Sequence, residues 1–207
     1  MRRYLDGFLM AALIAAGLLL NAAATTAFPD VGQEHEHADA IQHVNSTGLM
    51  VGYGDGTFQP DKTVTRAEMA TILCKMLEED QDLKKDGATF SDVPTSHWAN
   101  AYVVKAASLG FVGGYGNGKF GPDDAVTYEQ AVTMLVQALG GKEEAAKHGG
   151  YPEGPLALAK EHDLLEGISA KTGDPFSRGE VAVLLYNSDH FYFDVAVDNV
   201  SGGDQMD

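Results

Sequence analysis

Apolar residues recur along this chain in two rhythms. From Phe8 to Leu20 they run almost unbroken, whereas from Ala40 onward they return every three or four residues in short stretches separated by glycine-rich turns. Met69, Ile72, Leu73, Met76 and Leu77 fall on one face of a helix, and Ala131, Met134, Leu135, Ala138 and Leu139 repeat that stripe. A third copy, Val181, Leu184 and Leu185, runs into Ser188 and Asp189, so its last turn is expected to pack poorly or end early. A shorter helix precedes the first stripe, over about His37 to Thr47, with Ala40, Ile41 and Val44 inward. Gly48 then suits a left-handed C-terminal cap. Strand signals are nearly absent, so the predicted fold class is all-α.

Each amphipathic helix opens with the same grammar. In Val64-Thr65-Arg66-Ala67-Glu68-Met69 the hydroxyl of Thr65 and the carboxylate of Glu68 are spaced as a capping box. Thr127 with Gln130 and Ser177 with Glu180 repeat the spacing. Arg66 and Arg178 occupy the first helical position, where a cation opposes the helix dipole by roughly 0.3–1 kcal/mol at an exposed site. Helix formation alone does not select arginine there. Both positions read as exposed turns at which alanine leaves folding nearly unchanged, whereas Thr65→Ala is expected to cost about 0.5–2 kcal/mol.

The repetition extends beyond the helices. Residues 28–77 align without gaps on 90–139, and a shorter, more divergent unit covers 151–189. Phe28, Asp30, Val31 and His35 meet Phe90, Asp92, Val93 and His97, and Gly52-Tyr53-Gly54 meets Gly114-Tyr115-Gly116. Units of this period bury their apolar faces against one another, so 28–189 is expected to form one domain. Gly52-Tyr53-Gly54-Asp55-Gly56 is expected to supply positive φ angles in the intervening loop. The joints 78–87 and 140–150 are polar and read as surface connections. The tail 190–207 opens with Phe191-Tyr192-Phe193 and is expected to be partly disordered.

Residues 1–27 have the basic, apolar and small-residue order of a secretory signal peptide, with cleavage expected near Ala24 or Ala27. The whole chain carries a net charge of −16; removing the leader takes away Arg2, Arg3 and Asp6 and leaves about −17. That charge argues against nucleic acid and anionic membrane surfaces as partners. Cys74 is the only cysteine, which excludes an intrachain disulfide, and Val136 at the matching position points to a buried thiol. His35-Glu36-His37 lacks the spacing of a metal site, and Asp55 lacks the regular oxygen ligands of a calcium loop. Nucleophile-elbow, phosphate-loop and zinc-protease motifs are missing, so neither an enzyme nor a cofactor is expected.

The F-x-D-V starts, His97-Trp98-Ala99, the G-x-G-x-F-x-P loops and Thr65-Arg66-Ala67-Glu68 together make the chain resemble the surface-layer homology (SLH) domain. The resemblance covers almost all of 28–189 and implies three helix-loop-helix units around a pseudo-threefold axis. It also implies non-covalent binding to secondary cell-wall polysaccharide of Gram-positive bacteria, typically a pyruvylated N-acetylmannosamine polymer, and hence a secreted protein of the cell surface. The family's binding arginine falls on Arg66 and Arg178 and its groove tryptophan on Trp98, with Gly114 and Tyr115 in the loop and Asp30 and Asp92 as further groove candidates. Arginine suits a ketal-linked pyruvate because it holds a carboxylate through two parallel hydrogen bonds. Trp98 offers a flat face for a sugar ring, against a plain core role; Asp30 and Asp92 suit a turn equally well.

No unit carries the full set. Glu36 stands where the second unit has Trp98, and Tyr128 where the first has Arg66. The expectation is one principal groove joining Arg66 to Trp98, with Arg178 supplying a weaker one or none. The alternative is an envelope protein-interaction module of the same fold that has lost sugar binding.

Overall fold

The computed structural model describes residues 28–193, so the expected leader and the end of the tail lie outside the described residues. Seven helices follow in order: α1 (Ala38–Ser46), α2 (Arg66–Met76), α3 (Asn100–Ser108), α4 (Tyr128–Ala138), α5 (Lys142–Lys147), α6 (Glu153–Glu161) and α7 (Arg178–Asn187). Among the described residues there is no β-strand, only three isolated bridges, and the fold is all-α.

The units interlock. The short first helix of each unit packs on the capping-box helix of the preceding unit, α3 on α2 and α6 on α4, while α1 packs on α7 and closes the ring. Three turn segments meet at the pseudo-threefold axis. There the Val64 N–H donates to Phe176 O (3.0 Å), the Phe176 N–H to Val126 O (2.9 Å), and the Val126 N–H to Val64 O (2.9 Å). This closed triangle satisfies three buried backbone pairs at once, which a lone unit cannot do. Phe58, Phe120 and Phe176 are fully buried, each worth about 1.5–3 kcal/mol of transfer from water.

Local sequence explains each element. Met69, Ile72 and Leu73 of α2 and the whole α4 stripe are buried, while Met76 and Leu77 are partly so. Gly48 and Gly110 end α1 and α3 with φ of +74° and +75°, the left-handed cap that a Cβ disfavours. The turn after α7 packs better than its polar letters promise: Ser188 is buried and donates its hydroxyl to Leu185 O at 2.9 Å. Cys74 is buried with its thiol pushed up to about 11 by desolvation, an inert packing group.

Three expectations need correction. Two of the three capping boxes form, with Glu68 N–H on Thr65 Oγ1 (3.2 Å) and Glu180 N–H on Ser177 Oγ (3.2 Å). The Thr127 side chain makes no such bond, and the reciprocal half of the box is also missing because the Gln130 side chain turns toward Arg66. The joint 140–150 is more than a surface connection, since it folds into α5, buries Ala145 and packs on α6. In the first loop Gly56 has positive φ but Gly52 does not. The glycine at Gly52 and its counterpart Gly114 answers to close approach: a Cβ on Gly114 would sit 2.7 Å from the Phe90 ring. The start of the tail, where the described residues end, is docked without contradicting the expectation of a partly disordered tail: Phe191 and Phe193 lie against the His162 ring and the Phe193 N–H donates to Leu139 O (3.0 Å).

Asp30 and Asp92 hold the loops in shape. Asp92 accepts from the amides of Phe120 (2.9 Å) and Gly121 (2.8 Å), and Asp30 from those of Phe58 (2.9 Å) and Gln59 (2.7 Å). Burial works against the charged Asp92 carboxylate, but these amides outweigh it and hold it below its ordinary 3.8. Its stabilising contribution is therefore complete above pH 3.8 and is lost as pH falls through the lower folded value. Asp92→Ala is expected to destabilise by about 1–3 kcal/mol at pH 7, and the difference from wild type should vanish in melts near pH 2.

Candidate functional site

Two grooves form where an arginine from one unit enters the loop of the next. Arg66, at the start of α2, is 4% exposed and lies between the rings of Tyr115 (4.8 Å) and Phe120 (4.7 Å). Its Nε donates to Phe120 O at 2.9 Å, Nη2 to Gly113 O at 2.8 Å and Nη1 to Gln130 Oε1 at 3.3 Å. A guanidinium has five N–H donors, so one remains on each terminal nitrogen. Burial pushes the pKa of Arg66 down and nearby Tyr115 and Asp124 push it back up, leaving it a cation at any physiological pH. Gly114, Tyr115, Gln130, Gln137 and Tyr151 help line the cavity around it, about 330 Å³ in volume.

Arg178, at the start of α7, repeats the arrangement across the ring. Its Nε donates to Phe58 O and its Nη2 to Val51 O, both at 2.8 Å, and the rings of Tyr53 and Phe58 cover it at 4.7 and 4.5 Å. Tyr53, Glu68, Lys75 and Trp98 share with it a cavity of about 210 Å³. Trp98 is exposed and stacked on His97 at 5.8 Å, so it is a groove wall and not a core residue.

The structure thus pairs Trp98 with Arg178, not with Arg66. Tyr151 takes the corresponding place beside Arg66. Both aromatics stand two residues ahead of a first helix, Trp98 before α3 and Tyr151 before α6, and that register would have revealed Tyr151 where a search for His-Trp did not. Arg66 and Arg178 are also buried, not exposed, since each is held by two carbonyls of a neighbouring loop; the expectation that both begin exposed turns is overturned. Asp30 and Asp92 are not among the residues lining either groove; their carboxylates are taken up by loop amides.

The third junction carries no guanidinium. There Tyr128 sets its ring edge-on to Phe176 at 5.6 Å and its N–H on Asp174 O at 3.0 Å, while Glu129 accepts from the Gly173 N–H at 2.8 Å. Among the described residues no group of histidines, cysteines and carboxylates is arranged to hold a metal, and His35 Nδ1 accepts from the His37 N–H at 3.1 Å.

Residues 27–70 and 89–132 match the model of the S-layer homology domain. A cell surface protein of Thermoanaerobacter kivui is 35% identical over 178 residues, which cover 84% of this chain and 23% of that protein. A middle cell wall protein of Brevibacillus brevis is 33% identical over 168 residues, 80% of this chain and 16% of that protein. A cellulosome-anchoring protein of Acetivibrio thermocellus is 31% identical over 150 residues, 68% of this chain and 32% of that protein. The chain therefore belongs to the S-layer homology family, on two matched repeats; the unit from Tyr151 onward lies outside those matches. It spans less than a third of the length of each of these relatives.

Proposed function

We propose that this is a secreted cell-surface protein that attaches itself, or a partner, to the cell wall by binding an acidic secondary wall polysaccharide in the Arg66 and Arg178 grooves. The observation that supports it is the state of Arg66: a buried cation in the cavity lining, oriented by two carbonyls and two rings, with one N–H on each terminal nitrogen left for a carboxylate. Orienting the guanidinium before the ligand arrives lowers the entropy cost of capture. The facing aromatics, Tyr151 and Trp98, suit the apolar face of a sugar ring. A pyruvate ketal carries such a carboxylate on a pyranose, so a pyruvylated N-acetylmannosamine polymer is the proposed ligand. The role is structural, with no reaction assigned to either groove.

Sedimentation with purified cell walls tests this. The protein should pellet with native walls and remain in solution with walls stripped of secondary polysaccharide or of its pyruvyl groups. Equal pelleting with stripped peptidoglycan would mean that the grooves do something else.

A further inference from the structure

The third helical position differs between the grooves. Glu68 and Glu180 turn back to their caps, with the Thr65 N–H on Glu68 Oε2 at 2.8 Å and the Ser177 N–H on Glu180 Oε2 at 3.4 Å. Gln130 instead accepts from Arg66, and Thr127 goes without the helix-capping bond. Helix stability favours glutamate here, which adds a favourable charge at a helix start and completes the box. A glutamate at 130 would also set a negative charge in the wall beside Arg66, as Glu68 does beside Arg178, and oppose the approach of an anion. No acidic side chain lines the Arg66 cavity as it stands; Asp124 acts on Arg66 from outside the lining, where it accepts from the Tyr115 hydroxyl at 3.0 Å. The Arg178 cavity, by contrast, has Glu68 and Lys75 in its wall.

We propose that Gln130 sets the ligand preference of the Arg66 groove, making it a site for a singly anionic, carboxylate-bearing sugar, at the expense of the helix cap. The Arg178 groove, with Glu68 in its wall, takes a unit that also presents a hydroxyl or amine donor to that carboxylate. Gln130 is here a specificity-determining residue. The inference rests on the reading of both grooves as saccharide sites, and its test separates the two.

The probes are methyl 4,6-O-(1-carboxyethylidene)-mannoside and its uncharged methyl ester, titrated against the full chain. Amide resonances of Gly113 and Tyr115 report one groove and those of Val51 and Tyr53 the other. Gln130→Glu is expected to weaken acid binding in the Arg66 groove by about tenfold or more, to leave the ester within about twofold, and to hold or raise the melting temperature. Glu68→Gln should do the reverse in the Arg178 groove, tightening the acid a few-fold while lowering the melting temperature. Gln130→Ala, which removes the acceptor from Arg66 Nη1 without adding a charge, should weaken the acid less than Gln130→Glu does and shift acid and ester alike. A purely structural Gln130 would instead make binding follow the melting temperature across the three variants. Wild-type binding retained in Gln130→Glu overturns this inference alone; a wild-type chain whose Gly113 and Tyr115 amides ignore the acid overturns the groove reading with it.

Discussion

Arg66→Ala is expected to lower stability by about 2–4 kcal/mol and to remove acid binding from its groove in the same step. The stability loss follows from two charge-assisted bonds to the Phe120 and Gly113 carbonyls, each worth about 1.5–3 kcal/mol. The relief of freeing a desolvated cation, and water entering the open groove to meet the carbonyls, offset part of it. For a domain of this size the loss corresponds to a drop in melting temperature of roughly 5–15 °C. Arg178→Ala should behave alike, since Phe58 O and Val51 O would lose the same partners. The third junction supplies the control that separates fold from binding. Tyr128 occupies the arginine position there and still closes the interface through its ring and its amide. Arg66→Tyr should therefore recover part of the lost stability and none of the acid binding. A melting curve for Arg66→Ala that overlays wild type would show that the guanidinium is a passenger in the fold.

The contrast with a surface reading of these arginines shows where sequence pattern stops. Helical stripes, glycine caps and the period of the repeat were legible because each is a local property of consecutive residues: Val44, Leu73 and Leu135 declare their burial by spacing alone. The partner of each unit was not. Arg66 follows a cap residue at a helix start, which in an isolated helix is solvent-facing; only ring closure brings the second loop over it. The same closure exchanges the groove walls, so Trp98, nearer in sequence to Arg66, stands beside Arg178 at the other side of the ring. Spacing alone makes Gln130 a cap, because Thr127 lies three residues before it. The competing acceptor role depends on a guanidinium from another unit, which spacing cannot report. Asp30 and Asp92 were open between turn and groove, and the loop amides that fix their role lie 28 and 29 residues ahead of each.

Trp98→Ala and Tyr151→Ala are each expected to cost about 100-fold in affinity for the long polysaccharide while leaving the melting temperature unchanged. Both side chains are more than half exposed, at 57% and 58%, so neither holds the core together. Each lines a different groove, so each substitution disables one site and spares the other. When one polymer occupies both grooves, the second contact is intramolecular at an effective concentration in the millimolar range, and avidity exceeds either single affinity by about 10²–10⁴. A single-sugar probe has no such gain, so its affinity for the untouched groove should stay at the wild-type value. Salt sharpens the test. The chain at −16 repels an anionic polymer, and added salt screens that repulsion over about 10 Å at 0.1 M, while the buried arginine-carboxylate contact is screened far less. Polymer binding should thus hold or strengthen from low to physiological salt, with the gain in association rate. Losses of only about twofold for each variant would mean that the grooves bind separate chains. A steep fall in wild-type affinity with salt would point to exposed lysines, and away from Arg66 and Arg178, as the source of attachment.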